Sequence, residues 1–169
     1  MQPWAQFYAV TGAAAAALLG LLFVAISMNA RATLGQGHDT LKGLSEQAFQ
    51  NYLAVLMVSL LALFPGMSVS TFGLVTILAT GVWAIWMLVR LYQAAVRPTL
   101  GRRRLAILRR HLSSVIGFGI LISAAARMAL GWGGDFNLIA SAVVVLLFSA
   151  TVASWDILVG IANRPAVAG

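Results

Sequence analysis

No charged side chain occurs before Arg31, and residues 7–28 form one unbroken apolar run. At about 1.5 Å of helical rise per residue, such a run covers the roughly 30 Å hydrocarbon core of a bilayer. Further apolar runs occupy residues 49–64, 68–92, 112–130 and 136–161. They predict an all-α integral membrane bundle of five transmembrane helices, because a helix satisfies its backbone hydrogen bonds internally where lipid offers none. Composition closes the soluble alternative. Of 169 residues, 61% are hydrophobic and 9% charged, against about 25% charged in an ordinary soluble domain. So few charges cannot cover a water-facing shell, and the outward surface has to meet lipid. Residues 1–169 therefore read as a single transmembrane domain.

The segments between the runs set the boundaries. Trp4, Phe7 and Tyr8 fit an interfacial aromatic belt at the start of the first span. Its first six residues hold no Lys or Arg and its apolar run is long, so it is expected to be a retained span and not a cleaved signal peptide. The polar stretch 29–47 carries Arg31, His38, Asp39, Lys42 and Glu46, with a loop expected at 35–37 and a short surface helix over 40–48. Span two, at 49–64, is short and stops at Pro65 and Gly66; a start near Leu44 restores the length. Span three closes with Trp83, Trp86 and Arg90. Residues 93–111 form a basic loop broken by Pro98 and Gly101, and Gly131, Trp132, Gly133 and Gly134 make a tight turn before the last span.

Orientation follows from the placement of positive charge. With the 93–111 segment inside, alternation of five spans also puts residues 29–47 and the C-terminal tail inside. That side then holds Arg31, Lys42, Arg97, Arg102, Arg103, Arg104, Arg109, Arg110 and Arg164, while the loops at 65–66 and 131–135 hold neither Lys nor Arg. The positive-inside rule places the N-terminus outside and the C-terminus in the cytoplasm.

Several chemistries lack their residues. There is no cysteine, which removes disulfides, thiol redox centres and thiolate metal sites. His38 and His111 both fall in or beside the cytoplasmic loops, so no pair is placed to ligate a haem, and no span carries a lysine for a Schiff base. A serine nucleophile has no histidine at membrane depth to act as its base. No catalysis, cofactor or metal is expected. The net charge of +7 comes from ten arginines and one lysine set around apolar runs, a pattern of membrane orientation and not of nucleic-acid reading.

Ionisable residues inside spans are the first candidates for function, since an unpaired charge is costly in lipid. Arg90 and Asp156 share a depth about one turn from the inner ends of spans three and five, as an inner gate, a structural pair or two snorkelling side chains. Arg127 is in register with Gly119 and Ser123 at intervals of four. The stripe either lines an anion-favouring outer vestibule or leaves Arg127 snorkelling and paired with Asp135. Thr76 and Thr80 mark a polar face of span three, lining a pore or bonding to neighbouring helices. Gly12, Ala16 and Gly20 recur at intervals of four in span one, a small-residue pattern for close helix packing. Arg102, Arg103, Arg104, Arg109 and Arg110 anchor the topology or dock a lipid or partner. No internal repeat is evident, which disfavours an inverted-repeat transporter.

The run GAAAAALLGLLFVAISMN at residues 12–29 and WDILV at 155–159 resemble a loose group of uncharacterised small bacterial inner-membrane proteins, some labelled modulators of a membrane protease. The resemblance covers about 23 residues. It implies a bacterial inner-membrane location and no particular activity, and it draws Asn29 and Asp156 together as a polar pair near the cytoplasmic face. Three functions are compatible with these residues. One is a homo-oligomeric channel or pore for ions or small solutes, with Arg127 favouring anions. Another is a non-transporting accessory or regulatory subunit of a larger membrane complex, and the third is a small transporter.

Overall fold

The computed structural model describes the backbone of residues 2–29, 39–96 and 101–162, with side chains described at 4–29, 41–89, 92 and 112–162. Five helices account for nearly all of it: α1 (Gln2–Met28), α2 (Asp39–Leu63), α3 (Val69–Val96), α4 (Gly101–Ala129) and α5 (Phe136–Ala162). Among the described residues, four stretches are long and apolar enough to cross a membrane, Trp4–Met28, Val69–Val89, Leu112–Ala129 and Phe136–Ala162. The described residues hold helices and no strand, and the chain is a multi-pass membrane protein. Its outward faces carry large apolar side chains, with Leu78 and Phe148 exposed to 67% and 68%, which water would not tolerate and lipid does.

Two boundaries differ from those expected. The surface helix expected at 40–48 and the short span at 49–64 are one continuous helix, α2. The basic segment 93–111 is largely helical, because α3 runs on to Val96 and α4 starts at Gly101. At 29 residues α4 is about 43 Å long, so its arginine-bearing first turns extend past the hydrocarbon core. The loop expected at 35–37, with Arg31 and His38, lies outside the described residues, as do Arg97, Pro98 and the tail bearing Arg164.

Local chemistry sets the turns. Ser68 caps α3, its Oγ accepting from the Thr71 amide at 3.1 Å. After α4, Gly131 takes φ +76°. The Gly131 amide donates to the Met128 carbonyl at 3.1 Å, and the Trp132 amide to the Arg127 carbonyl at 2.9 Å. This is a Schellman closure, which needs a left-handed residue that only glycine adopts cheaply.

α4 packs on α3 and α5, and α2 packs on α1 and α5, with lesser α2–α3 and α1–α5 contacts. Glycines set the closest approaches. A Cβ on Gly73 of α3 would lie 2.5 Å from the Ala125 carbonyl oxygen of α4, and one on Gly12 of α1 would lie 2.9 Å from Ser59 Cβ of α2. Such contacts let backbones meet and gain dispersion energy where no hydrophobic effect drives helices together. Two apolar clusters result. One joins Val55, Val58, Phe72, Leu121, Met128 and Val143, and the other joins Leu22, Leu41, Leu44, Tyr52, Ala153 and Ile157 at the opposite end of α2.

Candidate functional site

Beside the second apolar cluster, at the level of Leu44, Ala48, Tyr52 and Ala150, lies a knot of neutral polar side chains. Gln47 and Asn51 stand one turn apart on α2, Ser113 and Ser114 on α4, and Ser149 at the middle of α5. Gln47 Nε2 donates to Ser114 Oγ at 2.8 Å and Asn51 Nδ2 to the same oxygen at 2.7 Å. Asn51 Nδ2 also reaches Ser149 Oγ at 3.3 Å. The Ser114 and Ser149 hydroxyls are 2.8 Å apart, and those of Ser113 and Ser149 2.9 Å. With both amides donating into Ser114, its own proton goes to Ser149, and that of Ser149 to Ser113. The chain of donors runs from α2 to Ser114 of α4, on to Ser149 of α5 and back to Ser113 of α4.

The site is deep. Ser114 and Ser149 each stand about 14 residues, roughly 20 Å of helix, from the turn that joins α4 to α5. Asn51 is 1% exposed. Its Oδ1 is buried and accepts no hydrogen bond from the described residues. All five side chains are amides or hydroxyls, so the knot can orient, lock or bind through hydrogen bonds but has no acid or base of its own with which to move a proton. Lesser polar contacts flank it. Thr11 and Ser59 hydroxyls meet at 3.3 Å between α1 and α2, and Tyr52 Oη lies 3.4 Å from both Thr151 Oγ1 and Ser154 Oγ of α5.

The residues singled out in the sequence fall elsewhere. Gly119, Ser123 and Arg127 share an outward-facing side of α4. Ser123 Oγ donates to the Ile120 carbonyl of its own helix, and Arg127 Nε donates to Asp135 Oδ2 in an ion pair whose side chains are 51% and 25% exposed. Thr76 and Thr80 face the opposite way, into the bundle, both fully buried. Thr80 Oγ1 donates to the Thr76 carbonyl at 2.8 Å. The two stripes therefore do not line one path within a chain. Asn29 Nδ2 donates to the Ala25 carbonyl at 3.0 Å, and Asp156 is half-buried. The side chains of Arg90, Arg102, Arg103, Arg104, Arg109 and Arg110 lie outside those described.

No family model, curated protein or solved structure matches the chain.

The small residues of α1 divide between two faces. Gly12 is buried on α2, whereas Ala16 and Gly20 are exposed together with Ala13 and Ala17. A spacing of four on a helix of 3.6 residues per turn drifts by about 40° a step, enough to carry Gly20 out of the seam that Gly12 enters. A Cβ on Gly20 would meet nothing within 4 Å. On the α3–α4 pair, a groove of about 340 Å³ opens outward between Ala84, Met87 and Leu88 of α3 and Val115, Gly119 and Ile122 of α4.

Sequence reasoning passed over Gln47, Asn51, Ser114 and Ser149. The available signal was the pair of amides at an interval of four, the second of them next to Gln50 at the start of the apolar run. The serines gave none, because serine is common in membrane helices and its partners lie far along the chain.

Proposed function

We propose that this chain is a non-catalytic, non-transporting subunit of a larger membrane assembly, docked through the outward face of α1. It crosses a bacterial inner membrane five times, with its N-terminus outside and its C-terminus inside, α2 being the fifth span. The observation that carries this reading is the combination of a closed interior and an open small-residue face. The interior amide nitrogens and serine hydroxyls of α2, α4 and α5 bond to one another, Thr76 and Thr80 are buried, and Arg127 is paired with Asp135, although the buried Asn51 Oδ1 and Thr76 Oγ1 have no partner among the described residues. Meanwhile Ala13, Ala16, Ala17 and Gly20 present a flat outward surface that allows a second helix backbone to come close.

A photo-crosslinking residue at Gly20, with one at the lipid-facing Leu78 as control, tests it in intact cells. A discrete adduct to a different protein from Gly20 alone is the expected result. A ladder of adducts at multiples of the chain's own mass, together with ion or solute flux from proteoliposomes of the purified protein, overturns it. That outcome favours the second reading, a homo-oligomeric channel, for which the outward Gly119, Ser123 and Arg127 side of α4 supplies the lining between subunits.

A further inference from the structure

We propose that the polar knot is a clasp poised to open, which holds two helix pairs together away from the turn that hinges them. Within each pair the helices meet closely. A Cβ on Gly12 of α1 would lie 2.9 Å from Ser59 Cβ of α2, and one on Gly73 of α3 would lie 2.5 Å from the Ala125 carbonyl oxygen of α4. Such contacts make α1 with α2, and α3 with α4, two tightly packed units. Between the units the arrangement differs. α2 and α4 both pack on α5, whereas neither packs closely on the other. Long side chains cross from one to the other instead, Gln47 Nε2 and Asn51 Nδ2 reaching Ser114 Oγ at 2.8 and 2.7 Å. The units are also joined through the backbone at residues 64–68, where Gly66 takes φ +76°. Asn51 lies about 18 Å of helix from the Leu63 end of α2. A joint at one end of α2 and side-chain bonds toward the other are the parts of a hinge and its clasp.

The clasp is incompletely bonded when shut. Asn51 is 1% exposed, and its Oδ1 is buried and accepts no hydrogen bond among the described residues. A buried carbonyl without a donor raises the free energy of the closed state, and it regains water when the units part. The serines do not depend on this amide. Without it Ser114 Oγ still accepts from Gln47 at 2.8 Å and still pairs with Ser149 at 2.8 Å. Removing the Asn51 amide therefore strands no serine, whereas removing the Ser114 hydroxyl takes the main acceptor from two amides. The two residues act on one motion in opposite directions, Ser114 holding the clasp shut and Asn51 loosening it.

The test uses the purified full-length chain in mild detergent. The chain has no cysteine, so a single added one is a clean reporter. Val55→Cys lies one turn from Asn51 on the same face of α2, and Ala142→Cys lies two turns from Ser149 on α5, toward the 131–135 turn, as the control; both positions are fully buried. The rate of N-ethylmaleimide labelling under native conditions measures opening at each. At Val55→Cys, Asn51→Leu is expected to slow labelling about threefold and Ser114→Ala to speed it about tenfold. At Ala142→Cys each should change the rate by less than about twofold, because a local opening leaves the hinged end packed. Asn51→Val repeats the test if Asn51→Leu does not fold. Two results overturn the proposal: labelling that the Asn51 variant leaves unchanged or speeds, and labelling that Ser114→Ala leaves unchanged or speeds equally at both reporters.

Discussion

Replacing Ser114 with alanine removes a single oxygen atom, yet that oxygen is where three helices meet. It accepts from Gln47 at 2.8 Å and from Asn51 at 2.7 Å, and it pairs with Ser149 at 2.8 Å. Interhelical hydrogen bonds in membrane proteins are worth about 0.6 kcal/mol each on average, so three of them amount to about 2 kcal/mol. Asn51 Nδ2 retains its longer contact to Ser149, but the amides lose their main acceptor, and a stranded buried donor costs a further 1–3 kcal/mol or so. The cavity left by one atom adds little. Ser114→Ala is therefore expected to destabilise the bundle by about 3–5 kcal/mol, a shift of roughly 150- to 5,000-fold in the unfolding equilibrium. The control is Ser123→Ala, which loses only a bond within its own exposed turn and should change stability by less than about 0.5 kcal/mol. Reversible unfolding in mixed micelles, followed by circular dichroism, measures both. If Ser114→Ala costs no more than Ser123→Ala, the polar knot does not hold the helices together.

Gly73→Ala should cost about 1–3 kcal/mol in the same assay, because its methyl group would overlap the α4 backbone. Gly20→Ala, with open space at that position, should be neutral or slightly stabilising by up to about 1 kcal/mol. Asp135→Asn should cost less than about 1 kcal/mol, and the loss should shrink further in high salt, since half-exposed Arg127 is already solvated. Impermeant labels applied to intact cells should reach a cysteine added at the N-terminus and not one added at the C-terminus; labelling of the C-terminus alone would reverse the topology, and labelling of both would rule out five crossings.

Four spans were legible because residues 7–28, 68–92, 112–130 and 136–161 each supply enough uninterrupted apolar length. α2 was legible only in its second half. Its first half holds the charged Asp39, Lys42 and Glu46, and hydropathy also counts Ser45, Gln47 and Asn51 against it as if each faced lipid. In the bundle all three are buried, Ser45 bonding to the Leu41 carbonyl and the two amides to serines on other helices. The pairing of Asn51 with Ser149 spans 98 positions of chain, a separation at which no local pattern marks the partner. The Arg127–Asp135 pair, only eight positions apart across a glycine turn, was within reach of sequence reasoning as one of two alternatives.

The polar content of α2 also bears on how the protein is made. The acceptors for Gln47 and Asn51 sit on α4 and α5, and Ser149 emerges 98 residues after Asn51. At synthesis rates of about 5–20 residues per second, Ser114 follows those amides by roughly 3–13 s and Ser149 follows Asn51 by roughly 5–20 s. Over that interval α2 is a poor candidate to partition alone into lipid, and its retention at the insertion machinery until the last hairpin arrives would make assembly of this bundle a late event, completed from the C-terminal end.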